Sequence, residues 1–281
     1  MINVAVPTEV VAIYNKALAL SNKGDLDSAI TEYRKAIKMF PSFIEAYNNI
    51  GEIYSRMGNR DLAISSYKEA LTINKNYRVL LNLGVEYYNN NDHKTAIKYF
   101  FESLAIKSDF LEGNFYSGMA FFNMKDYANA EKYFSNVLRL DNRHVKTNYL
   151  LAFIYYEWKK YNDTLRCLDN IKDFADDKVF INKYYGFCYY HLGRFDEALR
   201  YLSSALELNP KYDKYKDYLK GLTYENKMKE IGDIDKKIQE MEKSIMKDKP
   251  GLSEYTHLSM LYIFKGEYKK AENLLMKVKN K

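Results

Sequence analysis

The chain has 281 residues, 47% of them apolar and 16% aromatic, with 28 Tyr, 12 Gly and 4 Pro. That much burying surface excludes a disordered chain, and the scarcity of helix breakers suits a helical one. The formal charge of +6 is a poor nucleic-acid signature: residues 211–281 hold 17 Lys against 12 acidic residues, a net of +5 that leaves +1 for the first 210, and the signs are interleaved.

In chain order, a small residue recurs at Ala17, Gly51, Gly84, Gly118, Ala152, Gly186, Gly221 and Ser259, in steps of 34, 33, 34, 34, 34, 35 and 38 residues. A fixed period this short marks stacked units that cannot bury their apolar faces alone. The predicted units run 10–43, 44–76, 77–110, 111–144, 145–178, 179–213, 214–251 and 252–281, in a single array. Within each, apolar residues fall at helical spacing in two blocks, such as Ile44 to Met57 and Leu62 to Ile73, so each unit reads as a helical hairpin. Gly24, Gly58, Gly193, Gly232 and Gly266 occupy the break between helices, where a left-handed residue ends the first helix. Pro41, Pro210 and Pro250 follow second helices, which they stop from continuing.

Twelve residues after the first small residue comes a second: Ala29, Ala63, Ala96, Ala130, Ala198 and Ala271. Facing small residues let paired helices approach closely. Large residues fill the space around them: Tyr54, Tyr87, Phe121, Tyr155, Tyr189, Tyr224 and Tyr262 in first helices, and Tyr33, Tyr67, Phe100, Phe134, Leu168, Leu202 and Leu275 in second helices. The fifth unit departs mildly, with Thr164 and Ile171 at small positions. The seventh departs more, with Lys237 where Ala is expected and a first helix about a turn longer, from Tyr212 to Ile231.

This pattern resembles the tetratricopeptide repeat family over essentially the whole chain. The second unit carries it most fully, as Tyr47, Ile50, Gly51, Tyr54, Gly58, Ala63, Tyr67, Ala70 and Leu71. The resemblance implies an all-α fold, a right-handed superhelix of about eight hairpins, whose concave wall is made by first helices and binds an extended peptide or a partner helix. The wall positions it implies are Leu81, Val85 and Tyr88; Phe115, Met119 and Phe122; Tyr149, Phe153 and Tyr156; and Lys183, Phe187 and Tyr190. They lie outside the recurring packing set, so partial exposure is expected. A contiguous apolar strip on a soluble protein marks an interaction surface.

Asn15, Asn49 and Asn82 hold one equivalent position on three successive first helices, with Asn48 beside the middle one. An amide both donates and accepts, so such a row can grip a peptide backbone. The family's clamp for acidic chaperone tails needs Lys and Asn, then Asn, then Lys and Arg; the matching sites hold Tyr14, Leu18, Asn49, Arg78 and Asn82, and no such binding is expected.

Three function classes follow: an adaptor or scaffold gripping a partner peptide in its groove; a structural subunit or homo-oligomer meeting neighbours through an uncapped end formed by Leu274, Leu275 and Val278; and, ranked last, RNA binding by the Lys-rich final units through Tyr212, Tyr215 and Tyr218. Catalysis is not expected. His93, His144, His191 and His257 lie in different units without Cys or His partners at zinc spacing, and no phosphate loop or nucleophile motif occurs, so neither cofactor nor metal is expected. No stretch reaches the roughly 18 apolar residues of a membrane helix. The opening residues lack the features of a signal peptide, and Cys167 and Cys188 read as reduced thiols of a cytoplasmic protein.

Overall fold

A computed structural model describes residues 6–208, 233–247 and 252–279, in which helices occupy the predicted blocks and no strand occurs. Contacts divide the chain into two compact units, Met1–Thr147 and Asn148–Lys281. In the first, α1 (Thr8–Lys23) pairs with α2 (Leu26–Met39), α3 (Ile44–Arg56) with α4 (Arg60–Ile73), α5 (Tyr77–Asn89) with α6 (His93–Ile106), and α7 (Leu111–Asn123) with α8 (Tyr127–Leu140). Helix α9 (Val145–Glu157) crosses the division. The second unit continues with α10 (Tyr161–Ile171), α11 (Lys178–His191), α12 (Phe195–Leu208), α13 (Ile234–Lys247), α14 (Leu252–Lys265) and α15 (Tyr268–Lys279). In the first unit α2 also packs on α3, α4 on α5 and α6 on α7, so these hairpins stack in chain order.

The break between helices is a repeated local device. A left-handed residue stands at Gly24, Gly58, Gly193 and Gly266, and also at Asn91, Lys125 and Lys159, where the sequence shows no glycine. Their backbone hydrogen bonds explain why: Asp92 N–H reaches Tyr87 O at 2.9 Å and Asp126 N–H reaches Phe121 O at 2.9 Å, closing the first helix whatever the side chain. The next residue then caps the second helix. Asp25, Asp92 and Asp126 each accept a bond from the backbone N–H three residues on, at 3.3, 3.1 and 3.1 Å. At Gly58 a β-carbon would meet nothing within 4 Å. Gly58→Ala should therefore cost only the backbone penalty, about 1 kcal/mol, in chemical denaturation. An unchanged stability would remove the conformational argument.

The small residues act as expected. A β-carbon built on Gly84 or Gly118 would sit 2.5 Å from the ring of Phe100 or Phe134, both fully buried. Ala29, Ala63, Ala96, Ala130 and Ala198 are likewise sealed. First-helix aromatics find stacked partners on second helices, one residue before Phe100, Phe134 and Leu202: Tyr87 on Tyr99 at 5.5 Å, Phe121 on Tyr133 at 5.7 Å and Tyr189 on Tyr201 at 5.6 Å.

The seventh repeat is irregular where described. Lys237 is exposed, and α13 buries Ile234 and Ile238 instead, against Leu258 and Tyr262 of α14. Its expected long first helix, together with Tyr212, Tyr215, Tyr218, Gly221, Tyr224, Gly232, Pro210 and Pro250, lies outside the described residues.

Candidate functional site

In the first unit the first helices approach one another, α3 touching α5 and α5 touching α7, and share one face. Hydrogen bonds tie them to the preceding repeat. Asn49 Nδ2 donates to Tyr14 Oη at 2.9 Å and to Tyr33 Oη at 3.0 Å; Arg56 Nη1 donates to Ser21 Oγ at 3.3 Å; and Asn123 Nδ2 donates to Tyr88 Oη at 2.9 Å. Asn82 Nδ2 donates to both Asn48 Oδ1 and Glu52 Oε1 at 3.0 Å, and Asn48 Nδ2 donates to the same Glu52 oxygen at 2.7 Å. The expected row of free amides is thus replaced by cross-links. Asn49 spends its donors on two tyrosines, Asn48 and Asn82 hold a carboxylate, and Asn15 alone stands exposed without such a bond.

The three tyrosines in this lattice, Tyr14, Tyr33 and Tyr88, have pKa values above their ordinary range, burial being the main cause for Tyr33 as well. For Tyr14 burial is the main cause, with the Asn49 bond opposing and the charges of Glu45 and Glu52 adding; for Tyr88 burial again dominates over the Asn123 bond. All three hydroxyls stay neutral at physiological pH and serve as acceptors.

The apolar positions divide by depth. Val85, Tyr88, Phe115, Met119 and Phe122 are half-buried, and Val85 and Tyr88 pack on the cluster of Leu81, Ala96, Phe100 and Ala120. Tyr88 meets Tyr116 edge-on at 6.0 Å, and Phe115 meets His144 at 5.1 Å. Leu81 departs from the expected exposure. It is 7% exposed and packs with Phe100 and Ala120, because neighbouring first helices close over it.

In the second unit the corresponding positions lie on α9 and α11. Tyr149 and Phe153 are half-buried, Tyr149 meeting Phe180 edge-on at 4.7 Å. Tyr156 and Phe187, expected to be partly exposed, are 5% and 7% exposed. Tyr156 is enclosed by Tyr184 at 5.2 Å, Tyr161 at 5.9 Å and Phe187 at 6.2 Å. Aromatic residues on α10 and α11 that the repeat pattern does not flag fill that space. The ammonium of Lys183 lies 4.7 Å from the Tyr184 ring centre, and burial pulls its pKa down. Tyr190 packs on Phe264 at 4.8 Å, beside a cleft of about 360 Å³ lined by Met241, Met260, Leu261 and His257.

At the C-terminal end, Leu274 and Leu275 are half-buried against the α14 clusters, so exposure there falls instead on Met276; the side chain of Val278 lies outside the described residues. Burial pushes both Cys167 and Cys188 up to about 12, which makes them inert packing groups. Among the described residues no group of three potential metal ligands occurs, and no helix is long and apolar enough to cross a membrane.

Glu52, on whose Oε1 both amides converge, was not among the expected site residues. Its signal was equivalence: Leu18, Glu52, Val85 and Met119 succeed one another at steps of 34, 33 and 34, a single charge in an apolar row.

Comparison with known proteins agrees with this architecture. Tetratricopeptide repeat models match residues 17–58, 44–77, 186–212 and 255–280, and a model of anaphase-promoting complex, cyclosome, subunit 3 matches 89–171. A chloroplastic tetratricopeptide repeat domain-containing protein of Arabidopsis thaliana, PYG7, is 32% identical over 69 residues, 24% of this chain and 23% of that protein's length. The structure of pilF from Pseudomonas aeruginosa superposes with a TM-score of 0.63 at 21% identity, over 74% of this chain and 96% of that one. PilW, a type IV pilus biogenesis factor, gives 0.57 at 18%, over 76% and 99%. The period, the paired small residues, the hairpins they pack and these matches agree: the chain belongs to the tetratricopeptide repeat family.

Proposed function

We propose that this protein is a cytoplasmic interaction scaffold that takes an extended segment or helix of a partner protein along the face of its first helices. The observation that supports this is the half-buried row Val85, Tyr88, Phe115, Met119 and Phe122, which we read as an apolar strip beside polar groups held by hydrogen bonds. Burying such a strip is worth roughly 25 cal/mol for each Å² removed from water, and the strip is already ordered by the core beneath it. Within the family, a non-catalytic scaffolding role is general, which accords with the lack of a nucleophile or phosphate motif.

A photo-cross-linking amino acid at position 119 should form adducts with the partner in lysate, and one at position 65, on the exposed side of α4, should not. Adducts at 65, or none at 119, would refute the groove.

A second reading is a structural subunit or homo-oligomer contacting neighbours through its C-terminal repeats. It is favoured by the exposure of Met246, at 85%, and Met276, at 59%, and by the match over 89–171 to a subunit of a larger complex. Light scattering separates self-association from the groove reading, since a mass independent of concentration leaves only heterologous partners.

A further inference from the structure

The geometry points to a partner segment of the form apolar-x-x-basic-x-x-apolar-x-x-apolar, lying across α1, α3, α5 and α7 with its Lys or Arg on Glu52. This inference rests on the groove reading and specifies its ligand.

The register comes from repeat spacing. Leu18, Glu52, Val85 and Met119 are equivalent residues on successive first helices. Packed helices lie about 8–10 Å apart, and an extended chain advances about 3.3 Å per residue, so one repeat is crossed in about three residues. Leu18 is 39% exposed, Glu52 is exposed, and Val85 and Met119 are half-buried. Each can therefore meet one side chain of a crossing segment.

The sign comes from the lattice around Glu52. Two amides, from Asn48 on α3 and Asn82 on α5, converge on its Oε1, so its carboxylate is held in place before any ligand arrives. No Lys or Arg pairs with it among the described residues, and its Oε2 accepts no bond there. A carboxylate held by neutral donors on one oxygen still has its other oxygen to offer as an acceptor. The adjacent row holds Glu45, Arg78 and Glu112 at the next equivalent positions. Arg78 is engaged locally, donating from Nε to Tyr77 Oη at 3.2 Å, whereas Glu45 and Glu112 make no ion pair among the described residues. Three carboxylates, Glu45, Glu52 and Glu112, thus outnumber Arg78 and Arg56 beside the apolar row, and a basic residue flanked by apolar ones complements that balance.

The test uses the full chain and three fluorescein-labelled decapeptides, Leu-Ser-Ser-Lys-Ser-Ser-Leu-Ser-Ser-Phe and its Glu and Gln replacements at the fourth position, titrated by anisotropy at low salt. The Lys peptide should bind about tenfold more tightly than the Glu peptide, and Glu52→Lys should reverse that order. Equal affinities for the three peptides, all abolished by Met119→Glu, would overturn the charge assignment while leaving the groove intact. Failure of every peptide to bind at millimolar concentration, or binding indifferent to Met119→Glu, would overturn both. Thermal melts of the variants separate loss of binding from loss of fold.

Discussion

Replacing Phe187 with Ala should lower the free energy of unfolding by about 3–5 kcal/mol, whereas Met119→Ala, on the equivalent face of the first unit, should cost about 1 kcal/mol. The contrast follows from depth. Phe187 is 7% exposed, its ring stands 6.2 Å from that of Tyr156, and Tyr156 is itself enclosed by Tyr184 and Tyr161, so truncation leaves a cavity walled by rigid rings. Such walls collapse poorly, which places the cost toward the upper part of the range. Met119 already shows one side to solvent, so its loss forfeits part of a side chain's burial and opens no sealed void. Urea denaturation followed by circular dichroism reads both. A Phe187→Ala protein within about 1 kcal/mol of the parent would put that ring on the surface and return it to the binding face.

The second large effect is alkaline unfolding. Tyr14, Tyr33, Tyr67, Tyr88, Tyr99, Tyr133, Tyr185 and Tyr189 all have folded pKa values raised above the ordinary 10.0, with burial the leading cause in each, and Tyr262 is pushed up to about 12 by burial and by its bond to Glu242. A raised folded pKa means that the native state keeps its proton after the unfolded chain has lost it. Their stabilisation is therefore complete below pH 10.0 and declines as pH rises through the folded values. Lys183 acts in the opposite direction. Its depressed folded pKa makes stability rise with pH up to 10.5, but it is one group against many tyrosines. The helices should accordingly melt cooperatively between about pH 10 and 12, with phenolate absorbance rising in step with loss of helical signal. A phenolate absorbance accounting for all 28 tyrosines near pH 10 while the helices persist would show that these hydroxyls are solvated.

These expectations show where reading the residues sufficed. The period of small residues located the hairpins, because Gly84 and Gly118 must admit the rings of Phe100 and Phe134, and that requirement is written in residue size at fixed spacing. It was incomplete at the breaks: Lys125 and Lys159 adopt the left-handed conformation without being glycine, since backbone hydrogen bonds closing the helix outweigh the penalty of a side chain there.

The candidate site was legible as positions but not as states. Repeat equivalence identified Asn48, Asn49, Asn82 and the apolar rows from spacing alone. Whether an amide is free or spent, and whether a ring is open or sealed, depends on atoms one repeat away. Asn49 is consumed by Tyr14 and Tyr33, Leu81 is covered by its neighbours, and Phe187 is buried beside Tyr156 of α9, which rings of α10 and α11 enclose in turn. Composition and period thus determined the hairpin architecture, because helical pairing is set by local size and apolar spacing. Only the tertiary structure decided which polar groups were left over, and so singled out Glu52, because hydrogen bonding is satisfied between helices that are distant in the chain.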